Sequence, residues 1–244
     1  MNRNARPTKG KLRITCKDCS LSDLCLPQAL NGEEIAALDA LVHRSTVLVP
    51  GESLFSHGAP FECLYAVRSG SLKSGMTAPD GREQVVAFHL PGELVGLDAF
   101  ADDGHQCDTK ALETTSVCTL PSADLERLGQ QVPRLNAALR RLLGREIVRD
   151  QALMLLLGKG SAPERLAAFL LSLSARYAQR GFSGTRFHLS MSRHDIGNYL
   201  GLALETVSRQ FARLQRARVI SIERREVEIL DPHALQSTLC HCLP

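Results

Sequence analysis

The sequence predicts an α+β chain in which a small β-barrel or jelly roll, a long helix and a winged helix-turn-helix follow one another. Three observations carry this. Between Val47 and about Leu120, short apolar runs alternate with Gly51, Gly58, Gly70, Gly75, Gly81, Gly92 and Gly96, the rhythm of antiparallel strands joined by tight turns. From Ala123 that rhythm gives way to helical spacing, with a stripe through Leu135, Leu139, Leu143, Ile147, Met154 and Leu157. Near the C-terminus, DIGNYLGLALETVSRQFARL sets Gly201 between two amphipathic segments, and the alternating VISIERREVEIL follows.

The elements follow in order. MNRNARPTKGKLR is basic and polar, and no apolar stretch follows it, so a secretory signal is not expected. CKDCSLSDLC places Cys16, Cys19 and Cys25 within ten residues. EEIAALDALVH has apolar positions at helical spacing. In the barrel text the strand candidates are SLFSHG, CLYAVRSG, SLKSGM, EQVVAFHL, LVGLDAF and SVCTLP, and Pro79-Asp80-Gly81 marks a tight turn. ADLERLGQQ is a short helix, and Pro133 suits the first turn of the long one. APERLAAFLLSLSARYAQRG is a further helix, stopped at Gly181. The chain divides into a cysteine segment (1–30), a barrel (31–122), a long-helix region (123–159) and a winged helix-turn-helix (160–244).

Composition narrows the class. The chain has 244 residues, 44% hydrophobic and 23% charged, ordinary for a soluble globular protein. No apolar run reaches the roughly 18 residues of a membrane helix, so a cytosolic protein without a membrane partner is expected. Eight cysteines then point to metal or redox chemistry rather than a disulfide framework. Net charge is only +3, but from Arg186 to Arg225 eight arginines face three carboxylates, a local excess of +5.

That excess coincides with the helix-turn-helix. Gly197 lets the two helices approach, Gly201 takes the turn, and Val207 packs the second helix on the first. Ser192 and Asp195 have the spacing of a capping box. The second helix would enter a DNA major groove by its N-terminus, leading with Glu205, Thr206, Ser208 and Arg209. Arginine bonds guanine bidentately, glutamate accepts from cytosine, and the other arginines suit phosphates. Gln210 breaks the pattern, standing where an apolar residue is usual, so that either Phe211 beside it compensates or the packing is looser.

Three clustered cysteines ask for a fourth ligand, and spacing alone leaves zinc and an iron–sulfur cluster equally open. Cys63 and Cys107 read as core or loop residues, and Cys240 and Cys242 flank His241 in a tail. His57, His89 and His105 are scattered and form no ligand motif, so a metalloenzyme barrel is not expected.

The motifs CKDCSLSDLC, LYAVRSGSLK, FHLPGELVG, ALETTSVC, SARYAQRGFS and DIGNYLGLALETVSR together resemble the Crp/Fnr family of bacterial transcription regulators, and within it the FNR/ANR branch of oxygen sensors. The resemblance runs from Cys16 onward. It implies a cyclic-nucleotide-binding-like sensor barrel, a dimerisation helix and a DNA-binding domain. It implies a 4Fe-4S cluster held by Cys16, Cys19, Cys25 and Cys118, the last because it follows the ALET motif. Oxygen then converts the cluster to a 2Fe-2S form and the dimer dissociates. Glu205-Thr206-Val207-Ser208-Arg209 matches the family's Glu-x-x-Ser-Arg, which implies a TTGAT-N4-ATCAA palindrome. RNA polymerase contacts are implied near Pro79–Gln84 and in SARYAQRGFS. The family's member that senses cyclic AMP grips phosphate with an Arg-Ser pair. Gln106-Cys107 stands in its place and no arginine lies between Phe100 and Thr119, so no cyclic nucleotide is expected. The alternative is a family member that senses a small ligand, heme, or zinc and thiol redox state.

The long helix offers a seam to a second copy through Ile147, Asp150, Met154 and Leu157. Across a two-fold axis Asp150 would meet itself, and two carboxylates a few ångströms apart repel by about 4 kcal/mol at an effective dielectric near 20. The expected switch is a balance between apolar contact and that repulsion.

Overall fold

The structure, a computed structural model, describes residues 15–239. After a 3-10 turn at Leu26–Ala29 comes α1 (Gly32–Leu41), started by a reciprocal cap in which Glu34 N–H donates to Asn31 Oδ1 and Asn31 N–H donates to Glu34 Oε2. Eight strands follow: β1 (His43–Leu48), β2 (Ser53–Phe55), β3 (Cys63–Ser69), β4 (Leu72–Thr77), β5 (Glu83–His89), β6 (Leu94–Val95), β7 (Asp108–Ala111) and β8 (Thr115–Pro121). They form two antiparallel four-stranded sheets, β1-β8-β3-β6 and β2-β7-β4-β5. Leu48, Phe55, Val67, Leu72, Val95, Ala111 and Val117 fill the barrel interior. The Pro79-Asp80-Gly81 turn closes the β4–β5 hairpin with Gly81 at φ +84°.

The helices α2 (Ser122–Gln131) and α3 (Pro133–Lys159) lead to α4 (Ala162–Gln179). The C-terminal unit adds β9 (Arg186–His188), α5 (Arg193–Leu200), α6 (Leu204–Arg216), β10 (Ile220–Glu223), β11 (Glu226–Ile229) and α7 (Pro232–Ser237). The wing is larger than the hairpin alone predicts, because β9 pairs with β11 to give the order β10-β11-β9. In the barrel, β7 and the first half of β1 extend the predicted set, and LVGLDAF yields only the two-residue β6 and a 3-10 turn. Cys240, His241 and Cys242 lie outside the described residues.

One apolar core joins the two ends of the chain. Val85, Phe88 and Leu90 of the barrel share it with Phe169, Leu173, Ile196 and Leu200 of the C-terminal unit. A second gathers the cysteine segment, α1, β3, β8 and the start of α3 around Leu26, Leu38, Leu64, Leu120 and Leu135.

Candidate metal centre and nucleic-acid interface

CKDCSLSDLC folds as consecutive turns: Ser22 N–H donates to Cys19 O and Cys25 N–H to Leu21 O, each at 3.0 Å. Cys16 N–H donates to Asp39 Oδ1 at 2.6 Å, tying the segment to α1. Leu21 and Leu26 are buried, which turns the loop inward. Cys118 comes from β8, opposite Ala66 of β3. Cys16, Cys19, Cys25 and Cys118 line one pocket, walled by Leu21, Leu26, Leu38 and Leu120. Burial pushes the Cys25 thiol up to about 12; a hydrogen bond from the Leu26 backbone opposes this and the charges of Cys118, Cys16 and Cys19 add to it. Among the described residues, no three His, Cys, Asp or Glu side chains are drawn together around a point where a single ion would sit. Four sulfur donors on apolar walls fit a thiolate-held iron–sulfur cluster by donor chemistry. Leu24 reaches the barrel turn at Gly92, Ser22 lines the pocket, and Ser20 is exposed.

The helix-turn-helix is as tight as its glycines require. A Cβ on Gly197 would lie 2.6 Å from Leu202 O and 3.4 Å from Val207 Cγ2, and Gly201 has φ +61°. Val207 and Phe211 are buried. The Ser192–Asp195 capping box is present, with Asp195 N–H donating to Ser192 Oγ at 3.1 Å and Ser192 N–H to Asp195 Oδ2 at 3.0 Å. Gln210 is half-buried and Phe211 takes the packing role. Glu205, Ser208 and Arg209 are exposed along the leading edge of α6, with Arg213 and Arg216 beyond them, while Thr206 is half-buried. On the packing side of α6, the half-buried Arg193 guanidinium lies 3.2 Å from the ring centroid of the buried Phe211, and burial lowers its pKa to about 10.

On α3, Ile147 and Met154 are 56% and 71% exposed, so the apolar face predicted for a second copy has no cover within the chain. Leu157 is half-buried and Asp150 exposed. All four line a groove of about 600 Å³ between α3 and the barrel, where Ser74, His89, Gln106 and Cys107 form the opposite wall. Asp98, Glu146 and Asp150 also border this groove, and no arginine or lysine does.

Residues far apart in the sequence hold the C-terminal unit on the barrel. Lys73 of β4 pairs with Asp195 and Ser71 Oγ donates to Ser190 Oγ at 2.6 Å. Asn198 of α5 donates to Glu83 O at 2.8 Å and accepts from Val85 N–H. Within SARYAQRGFS, Arg176 and Arg180 point inward to Glu93, while Ala175, Ala178, Gln179 and Ser183 are exposed together with Phe182, which is 60% exposed. Gln84 likewise bonds Asn198 O, and the whole loop Pro79–Gln84 is exposed. No short-range pattern announces these pairings, since each joins positions more than 80 residues apart.

Residues 46–132 match the cyclic nucleotide-binding domain model and residues 164–238 the Crp-like helix-turn-helix domain model. The chain is 54% identical over 217 residues to the transcriptional activator protein Anr of Pseudomonas protegens, covering 89% of each. It is 45% identical over 226 residues to the fumarate and nitrate reduction regulatory protein of Vibrio cholerae, covering 93% of this chain and 90% of that one. Among solved structures, FixK2 from Bradyrhizobium japonicum aligns with a TM-score of 0.74 at 32% identity, over 80% of this chain and 96% of that one. With a jelly roll, a long helix and a winged helix-turn-helix in the same order, and relatives this similar over nine-tenths of its length, the chain belongs to the Crp/Fnr family, whose members are transcription regulators rather than enzymes.

Proposed function

We propose that this protein is an oxygen-responsive, cytoplasmic transcription activator that binds DNA as a homodimer when an iron–sulfur cluster is intact. The observation that carries the reading is the shared apolar pocket of Cys16, Cys19, Cys25 and Cys118, three from one loop and one from β8. Those four thiolates would hold a 4Fe-4S cluster, which supplies an oxygen-labile centre. The chain's own residues do the rest. Cys16 is tied to α1, and Cys25 packs on the same core as the start of α3, so the loop's shape bears on the long helix. On that helix Ile147, Met154 and Leu157 offer apolar contact to a second copy, and Asp150 opposes it. Burial raises the Asp150 carboxyl, and Arg149 partly offsets this.

Dimerisation presents two copies of α6 to the two halves of a palindrome of TTGAT-N4-ATCAA type. Glu205, Ser208 and Arg209 would reach base edges, with Thr206 supporting Arg209 through a 3.4 Å hydrogen bond to its Oγ1. RNA polymerase would meet the exposed loop Pro79–Gln84 and the exposed side chains of SARYAQRGFS. The acid-bordered groove, without a cation, does not suit a cyclic phosphate.

The test is iron and acid-labile sulfide per chain after anaerobic purification, with native mass before and after air. About four of each, lost in air together with a dimer-to-monomer shift, is expected. Asp150→Ala should remain dimeric in air. Zinc in place of iron, or a dimer unchanged by air, refutes the sensor reading; a monomeric Asp150→Ala in air refutes the repulsion account.

A further inference from the structure

The barrel turn Pro91-Gly92-Glu93 meets three parts of the molecule at once. Its first contact is the cysteine loop. Gly92 adopts φ +88°, and a Cβ there would lie 2.9 Å from Leu24 Cβ and 3.7 Å from Leu21 Cβ. No room is left between turn and loop, so a change in the loop's shape must move the turn. Its second contact is β3: Gly92 N–H donates to Val67 O at 2.8 Å and Val67 N–H to Glu93 O at 3.0 Å, next to Ala66, the residue opposite Cys118.

The third contact is the Glu93 side chain. Its Oε1 accepts from Arg176 Nε at 3.0 Å and Arg180 Nη2 at 2.7 Å. Its Oε2 accepts from Arg176 Nη2 at 2.6 Å and Leu90 N–H at 3.0 Å. Both arginines come from the end of α4 and its cap, and each also bonds the barrel backbone: Arg176 to Phe88 O and Arg180 to Pro91 O, both at 2.6 Å. From α3, Arg149 approaches Glu93 Oε1 to 3.9 Å, one residue from Asp150. The Arg180 side chain is 2% exposed, that of Glu93 11% and that of Arg176 12%. Burial alone raises the Glu93 carboxyl, but the charge and hydrogen bonds of Arg176, with Arg149 and Arg180, bring it down to about 2.

We infer that Glu93 is the positioning residue through which the cysteine loop sets the pose of the DNA-reading unit and the long helix. A buried carboxylate shared among three guanidiniums holds its partners in one geometry, because removing it leaves cations buried without a counter-charge. The turn that carries it is in van der Waals contact with the cysteine loop. The coupling to cluster state rests on the cluster reading proposed above; the strut between barrel and reading unit does not.

Hydrogen exchange on the full-length chain tests both halves, in wild type and Glu93→Gln, anaerobically and after air, with iron per chain measured in each sample. The variant is expected to hold wild-type iron, while the Val85 amide at the seam with Asn198 exchanges at least about tenfold faster. Amides of Val117 and Leu120 in β8 should not change. Affinity for a duplex carrying the palindrome should fall to that of aerated wild type. Air should speed the seam amide in wild type and add nothing in the variant. An unaltered seam in Glu93→Gln overturns the strut, and so does equal acceleration in β8, which would make Glu93 a support of the barrel alone. A wild-type seam indifferent to loss of its cluster overturns the coupling. If the wild type carries no cluster at all, the sensor reading fails and the anaerobic comparison still decides the strut. Should Glu93→Gln not accumulate as folded protein, Arg180→Gln, which leaves Glu93 paired with Arg176, is read in the same way.

Discussion

The helix-turn-helix and the cysteine pocket are built on opposite plans. In the first, every defining contact spans a few residues: Ser192 to Asp195, Gly197 to Leu202, Gly197 to Val207. In the second, Cys16 and Cys118 come from segments about a hundred residues apart and meet only because α1, β3 and β8 share a core. A locally defined unit keeps its shape when its neighbours move. A pocket assembled from distant segments depends on what fills it, and that makes it suited to report a change. On the function proposed above, the reading unit would be the output and can be rigid, and the pocket would be the input and has to be conditional.

Cys118→Ser breaks the input and should leave the output intact, the largest effect expected. Iron per chain should fall to near zero with far-ultraviolet circular dichroism unchanged. Retention of iron by this variant would remove β8 from the site. Gly197→Ala makes the converse cut. The added Cβ meets a carbonyl oxygen at 2.6 Å, and overpacking of this kind costs about 1–3 kcal/mol. Denaturant unfolding should show that loss, and anaerobic DNA affinity should drop, while iron content stays at the wild-type level. Loss of iron in Gly197→Ala would mean the two units are less separable than their construction implies.

The smallest effect is a pH dependence confined to the barrel. Burial, with the charges of Arg176 and Arg149 and against those of Glu93 and Asp98, lowers His89 from its ordinary 6.5 to about 4. Ser74 Oγ lies 2.8 Å from its Nε2. Below pH 6.5 the unfolded chain takes up this proton before the folded one does, so stability falls as pH drops from about 6.5 towards 4. Between pH 7 and 5 the loss is up to about 2 kcal/mol. Urea midpoints of the cluster-free chain should fall over that interval, and less so in His89→Gln. Equal slopes would show that His89 is not held neutral by its surroundings.

What the sequence made legible divides along the same line. The capping box, the αL glycine and the alternation of the wing hairpin are short-range signals, and the structure carries them at the same residues. The arrangement of strands around the Pro79-Asp80-Gly81 turn was equally local. DTKA in β7 was illegible because four residues with an aspartate and a lysine carry no periodic signal; its strand character comes from pairing with β2 and β4. Likewise RFH in β9 becomes a strand only beside β11. The cysteine trio stood out by density, but its partner in β8 rested on family resemblance. The role of Glu93 was not legible, since its three arginine partners lie 56 to 87 residues further on.

The bond between Asn198 and β5 has a consequence beyond positioning. Among the described residues β5 is the last strand of its sheet, with β4 on one side and no strand on the other. The Asn198 carboxamide, donating to Glu83 O and accepting from Val85 N–H, imitates the next strand and satisfies backbone groups that would otherwise invite one. Whenever the C-terminal unit lifts from the barrel, that edge is bared together with Val85 and Phe88. A chain with its C-terminal unit lifted would therefore be aggregation-prone, and the docked pose doubles as protection against self-association of the wrong kind.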